Sequence, residues 1–277
     1  MWTSGQARAA AAREPLDAAA VRAAAVRPDG LWRAVEVTEL TGSTNADLLA
    51  LAAAGAPEGM VLAAEQQSAG RGRLGRAWVA PPRAALTFSL LLCPRDVPRA
   101  RHGWLPLLAG VAVAAAVRAV AAVAATLKWP NDVLIDDRKL AGILAEQSGD
   151  AVVIGIGINV ATPRDALPAS PVGPQATSLL AEGVKVARDV LLVAVLRNLE
   201  RWYRAFREDP DPARIGLLAE YRTLCGTLGR SVRVELPGGR AVAGVAEDID
   251  TDGRLLVREA DATSLTPVSA GDVIHLR

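Results

Sequence analysis

The spacing of apolar residues divides the chain into helices, strands and one long stretch that fits neither. Leu192, Leu196, Leu199, Tyr203 and Phe206 recur every three or four residues, with Arg197, Glu200, Arg201 and Arg204 on the other faces, which predicts an amphipathic helix. A buried helix is expected from about Trp104 to Ala124. The most apolar stretch of the chain, Leu105 to Leu127, is interrupted by Pro106 and Arg118 and built from alanine and valine, so it falls short of the ~20 strongly apolar residues that cross a bilayer. A further helix is expected over Pro212 to Tyr221, and Ser43 or Thr44 can cap one from Asn45 to about Ala54. Strands are expected at Ala34 to Leu40, Val61 to Glu65, Leu86 to Leu92, Thr126 to Trp129, Val133 to Ile135 with Lys139 to Ala145, and Val152 to Val160. Turns at Pro130 to Asp132 and at Asp136 to Arg138 separate them.

Beyond Gly226 the pattern shortens. Val232, Val234 and Leu236 alternate, and Gly238-Gly239 and Asp252-Gly253 supply turns, which predicts a small five-stranded barrel over residues 226–277. Residues 1–30 mix alanine and arginine around Pro15 and Pro28 with few large hydrophobics. They predict a disordered start and at most one short helix near Leu16 to Val26. The organisation expected is an N-terminal extension over 1–30, an α+β domain over 31–225 with a mixed, largely antiparallel sheet and flanking helices, and an all-β cap over 226–277. A length of 277 residues suits one large and one small domain.

The stretch outside both periodicities runs from Gln67 to Arg83, and long loops in compact domains are commonly functional. Within it, Gly70, Gly72 and Gly75 interleave with Arg71, Arg73 and Arg76, and Trp78 follows. Glycine lets the backbone wrap closely round a ligand, and arginine donors fork onto phosphate or carboxylate oxygens. On composition alone a solvated basic turn or an arginine-glycine nucleic-acid tail fits as well. The glycines are not followed by the lysine-serine/threonine ending of a phosphate loop, and they do not form the dinucleotide fingerprint.

A second polar segment is Lys128-Trp129-Pro130-Asn131-Asp132. A lysine at a strand end, fixed by a Trp-Pro turn, can meet a carboxylate or phosphate as a point charge. Asn131 and Asp132 add oxygen ligands of the kind magnesium takes, although an exposed polar hairpin accounts for the segment equally.

Composition limits the alternatives. Lysine plus arginine total 31 against 30 acids, so a net charge of +1 gives no global pull toward nucleic acid or membrane, and any polyanion must be held by local clusters. Hydrophobic residues make up 51% but aromatics only 4%, which predicts an aliphatic core. Cys93 and Cys225 are too few for a disulfide framework or a cysteine-rich zinc site, and no signal peptide opens the chain, so a reducing cytoplasm is expected. His102 and His275 lack partners at catalytic spacing and are expected on the surface.

Taken together and in this order, the runs Gly70 to Trp78 and Lys128 to Asp132 resemble the signature of the biotin protein ligase family. The resemblance continues through Thr41 to Asn45, Lys139 to Glu146 and Gly155 to Asn159. Near the end, Ala270-Gly271-Asp272-Val273 resembles the last strand of that family's SH3-like domain, so residues 32–277 are covered. It implies a class II synthetase-like catalytic domain with an SH3-like β-barrel. It also implies a ligase that adenylates biotin with ATP and Mg2+ and transfers it to a lysine of the biotin carboxyl carrier domain of an acyl-CoA carboxylase.

By that resemblance Ser43, Thr44, Asn45 and Gln67 meet the ureido ring. Arg71, Gly72 and Arg73 line biotin and its activated carboxyl, Lys128 holds carboxylate and α-phosphate, and Gly155 and Gly157 admit the ligand against a strand. Arg73, Arg76, Trp78, Asn131, Lys139 and Asn159 face the nucleotide, with Trp78 stacking on adenine, and Asp132 faces the metal. A plain helix cap, a core aromatic and a tight sheet crossing are the alternatives for Ser43 or Thr44, for Trp78 and for the glycine pair. The nearest rival is a lipoate or octanoate ligase or transferase of the same fold, from which the arginine-rich loop and Lys128 to Asp132 distinguish it. Some family members add an N-terminal helix-turn-helix, for which residues 1–30 are too short. The expectation is therefore a monofunctional cytoplasmic ligase, monomeric or weakly dimeric, acting on neither DNA nor membrane.

Overall fold

Every residue of strand β3 (Ala85–Leu92) is buried, and the larger sheet is built outward from it. The computed structural model describes residues 13–169, 173–260 and 262–276. On one side of β3 lie β2 (Met60–Ala64) and β1 (Ala34–Thr38). On the other lie β7 (Ala151–Asn159), β6 (Arg138–Ser148), β5 (Asp132–Ile135) and β4 (Thr126–Lys128), in that order. Only the β1–β2 pair is parallel, so the sheet is mixed and largely antiparallel, as expected.

A strand is buried throughout only when both sheet faces are covered. Helix α2 (Thr44–Ala53) covers one face, where Leu48 packs on Leu91 and Val153. The other face carries α3 (Trp104–Ala121) and the long amphipathic α4 (Arg188–Glu208). Helix α3 is apolar all round because it lies between the sheet and α4, and the membrane-like hydropathy of its sequence belongs to a mostly buried core helix. It ends earlier than expected because Ala122 turns left-handed at φ 54°, and Arg118 Nε donates to Ala125 O at 2.8 Å. Helix α5 (Leu217–Leu224) begins later than expected, after Gly216 takes φ 78°.

The expectation of a disordered start falls on residues 1–12, outside the described residues. From Arg13 onward the segment is fastened by partners remote in sequence. Arg13 donates to Pro82 O at 3.1 Å, and Leu16 N donates to Glu65 Oε1 at 2.5 Å. Buried Glu65 is ion-paired with Arg188 at 2.6 Å, and Arg188 also donates to Glu14 O at 2.8 Å. Asp17 caps α1 (Ala18–Ala25) through Ala20 N, and Glu200 of α4 holds Arg27 at 2.8 Å and Leu31 N at 3.0 Å.

The C-terminal strands β8 (Ser231–Glu235), β9 (Ala241–Ile249), β10 (Leu255–Glu259), β11 (Thr266–Val268) and β12 (Asp272–His275) form an antiparallel sheet ordered β11-β10-β9-β8-β12. The alternating valines of β8 fill its interior with Ile249, Leu255 and Val257. This small unit is joined to the large one by tryptophans. Trp129 Nε1 donates to Gly253 O at 3.0 Å and Trp104 Nε1 to Thr251 O at 2.8 Å.

Candidate active site

A cavity of about 620 Å³ opens between the α2 face of the large sheet, the arginine-glycine loop and β12. Ser43, Thr44 and Asn45 reach it from the start of α2, and Gln67, Arg71, Gly72, Arg73, Arg76 and Trp78 from the loop. Lys128, Asn131 and Asp132 enter from β4 and β5, Lys139 from β6, and Gly155, Gly157 and Asn159 from β7. Every candidate residue therefore lines one cavity, and the two cationic segments converge on it.

At one end the hydrogen bonds fix the polarity of the amides. Thr44 N–H and Thr44 Oγ1 meet Gln67 Oε1 at 2.8 and 3.1 Å, so the Gln67 oxygen is occupied and its Nε2 is left as a donor. Asn45 Nδ2 donates to Leu144 O at 3.3 Å and to Glu146 Oε2 at 2.8 Å, which spends both its protons and leaves Oδ1 as an acceptor. Ser43 caps α2, its Oγ lying 3.5 Å from Ala46 N, and lines the cavity as well, so the cap reading and the site reading both hold. A methyl group at Gly155 would collide with the Asn45 amide, which is why this strand position is glycine.

At the other end positive charge accumulates. Lys128 is buried, and its ammonium makes no hydrogen bond or ion pair among the described residues. Burial holds its pKa below the ordinary lysine range, opposed by Asp132 and reinforced by Lys139, Arg76 and Arg73. Burial also lowers the pKa of Arg73, which donates to Asn131 Oδ1 at 2.9 Å and Gly271 O at 3.3 Å. Arg76 is ion-paired with Asp272 of β12, Lys139 with Asp132 at 2.6 Å, and Arg71 loosely with Glu146 at 3.9 Å. Asn159, which lines the cavity, commits its Nδ2 to Thr177 O at 2.9 Å.

The loop is more ordered than its composition implied. Trp78 N donates to Gly70 O at 2.9 Å and Gly72 N to Arg76 O at 2.7 Å, closing it into a hairpin around a short 3-10 turn at Arg73–Gly75, with Leu74 left-handed at φ 56°. Trp78 lies over Gly142 and Gly157, which are paired across β6 and β7, and a side chain at Gly157 would strike the indole. The glycine pair thus makes room for protein side chains, Asn45 and Trp78. The indole Nε1 is buried without a hydrogen-bond partner among the described residues.

Two expectations need correction. His102 is half-buried, within 3.2 Å of Val97 O. His275 is also half-buried, 3.1 Å from Thr227 Oγ1 and 3.3 Å from Arg230, and burial together with the Lys128 and Arg230 charges lowers its pKa to about 4. Neither bond was visible in the sequence because each partner is set by tertiary packing or a turn. Sequence reasoning also left Ser89, Asp272 and Glu146 without roles. Thr87 and Ser89, polar at alternate positions of an otherwise apolar strand, were the available signal.

Among the described residues no group of three or more histidine, cysteine or acidic side chains gathers as a metal cage, and Asp132 is already paired with Lys139. One carboxylate in that position suits a magnesium ion carried on phosphate oxygens, not a dedicated protein centre.

Residues 37–160 match the Biotin/lipoate A/B protein ligase family, and residues 227–276 match the Biotin protein ligase C terminal domain. The chain is 46% identical to the Biotin--[acetyl-CoA-carboxylase] ligase of Mycobacterium tuberculosis, across 96% of this chain and 97% of that protein. It belongs to the biotin protein ligase family. The Paracoccus denitrificans protein of the same name is 34% identical across 83% of this chain and 96% of its own length. The biotin protein ligase from Aquifex aeolicus in complex with biotin and ATP superposes with a TM-score of 0.74 at 27% identity, covering 88% of this chain and 98% of that one. The biotin protein ligase fold, with its small C-terminal SH3-like unit, is therefore the fold of this chain.

Proposed function

We propose that this chain is a biotin–[acetyl-CoA-carboxylase] ligase acting in two steps. A carboxylate oxygen of biotin attacks the α-phosphorus of ATP, the bond to pyrophosphate breaks, and biotinyl-5′-AMP forms. The amine of a carrier-domain lysine then attacks the acyl carbon, AMP leaves, and an amide is made. The observation that carries this reading is the division of one cavity into an amide end, fixed in polarity, and a cationic end. Two anions repel as they approach, and Lys128, Arg71 and Arg73 offset that repulsion where the bond forms. Ser43, Thr44, Asn45 and Gln67 hold the ureido ring, with Arg71, Gly72, Gly155 and Gly157 shaping the channel beside it. Trp78, seated on its glycine platform, offers a face to adenine. Arg73, Arg76, Asn131, Lys139 and Asn159 receive the phosphates and ribose.

Magnesium, when bound with the triphosphate, would supply charge neutralisation, and Asp132 would be the carboxylate to take it. The loop excludes water from the mixed anhydride. In this reading residues 31–225 are the catalytic unit, 226–277 hold the loop through Gly271 and Asp272, and within the extension over 1–30 Arg13, Glu14 and Leu16 brace the base of the loop. The reading includes a monomer or weak homodimer in a reducing cytoplasm, supported by two free cysteines, with no role for DNA or membrane.

A lipoate or octanoate substrate fits less well, because neither a dithiolane nor an alkyl chain satisfies the acceptors and donors at the amide end. Biotin-dependent exchange of labelled pyrophosphate into ATP tests the reading. Exchange driven by lipoate or octanoate and not by biotin overturns it.

A further inference from the structure

Beneath the amide end, strand β3 carries a serine that does not reach the cavity. Ser89 is fully buried, with its Oγ 2.6 Å from Asn45 Oδ1 and 2.7 Å from Thr44 Oγ1. Asn45 Oδ1 can only accept, so the single Ser89 proton goes to it. Toward Thr44 the Ser89 oxygen is then an acceptor. The Thr44 proton is spent either there or on Gln67 Oε1, which is also an acceptor. In both arrangements Thr44 has no proton to offer a ligand. Of the residues lining this end of the cavity, Thr44 Oγ1 and Asn45 Oδ1 are then acceptors, while Gln67 Nε2 and the Ser43 hydroxyl remain as donors.

We infer that Ser89 is a specificity-determining positioning residue. By donating to Asn45 Oδ1 and accepting toward Thr44, it supports the hydrogen-bond polarity that makes the cavity end complementary to a cyclic urea, which presents one carbonyl between two N–H groups. This rests on the biotin ligase reading and adds to it the residue that sets the polarity of the head-group pocket. Without the hydroxyl, Asn45 Oδ1 loses a buried donor, and Thr44 loses one of the two acceptors, Ser89 Oγ and Gln67 Oε1, that hold its proton away from the cavity.

The experiment is pyrophosphate–ATP exchange by the full chain, with biotin and with a biotin analogue methylated at one ring nitrogen as competitor. In Ser89→Ala the biotin KM rises about tenfold, because the Asn45 and Thr44 acceptors are no longer held in place for the ligand N–H groups, with kcat changed less than about threefold. The preference for biotin over the methylated analogue shrinks by a similar factor, because one acceptor is no longer held for that N–H. A merely structural loss would weaken both ligands equally and leave the preference intact. Ser89→Cys, of similar volume and a weaker donor, moves in the same direction and serves if the alanine variant does not fold. Unchanged KM and unchanged preference in a folded variant overturn the role of Ser89 alone. Absence of biotin-dependent exchange in the unaltered chain overturns the ligase reading and this inference together.

Discussion

Lys128 brings an ammonium group into a cavity where no described side chain neutralises it directly, an arrangement that costs stability unless an anionic ligand repays it. Lys128→Ala should therefore abolish biotinyl-5′-AMP formation, followed by mass spectrometry, without lowering the melting temperature. Burial lowers its pKa, and the charged form is the working form. Exchange activity should accordingly fall as pH rises, with a midpoint below the ordinary lysine value of 10.5, and Lys128→Arg should lose that alkaline limb. The glycines of β7 give a paired prediction. Gly157→Ala displaces Trp78 and should raise the KM for ATP about tenfold with little effect on biotin, whereas Gly155→Ala displaces Asn45 and should do the reverse. Steady-state titration of each substrate separates the two, and equal effects on both would contradict the assignments.

Among the elements, the N-terminal segment and α4 act as a brace. The Glu65–Arg188 pair sits at the end of β2, just before the loop, and also takes Leu16 N and Glu14 O. Removing one member of a buried ion pair strands the other charge, at a cost of about 3–5 kcal/mol. Arg188→Met should therefore depress the thermal unfolding midpoint clearly, and the double variant with Glu65→Gln should recover part of the loss. Equal midpoints for Arg188→Met and the unaltered chain would show that the pair is not structural.

Across the whole molecule, the small C-terminal unit contributes to the large unit's active site. β12 supplies Asp272 to Arg76, the preceding Gly271 offers its carbonyl oxygen to Arg73, and His275 of β12 lies within the field of Lys128. Folding lowers the His275 pKa from 6.5 to about 4, so between those values the unfolded chain binds the extra proton. Stability from this group is complete above pH 6.5 and is lost as pH falls toward 4. Denaturant midpoints measured across that range should drop less in His275→Asn than in the unaltered chain. Identical slopes would exclude the histidine as the cause.

Much was legible in the sequence by itself. Apolar spacing determined which segments are helices and which are strands, because burying one face imposes a period of two or 3.6 on the residues that do it. The interleaved glycines and arginines and the Lys128 segment marked the candidate site, because the residue types that can wrap and neutralise an anion are legible one by one, while composition left a solvated basic turn equally open. Tertiary structure alone decided the rest. Asn45 and Gln67 became an acceptor and a donor only when Leu144 O and Thr44 N came to lie beside them. Ser89 gained a function only from what folds over it, and His275 became half-buried beside a lysine distant in sequence. These are properties of pairs set by long-range contacts, and no local pattern of residues encodes which partner will arrive.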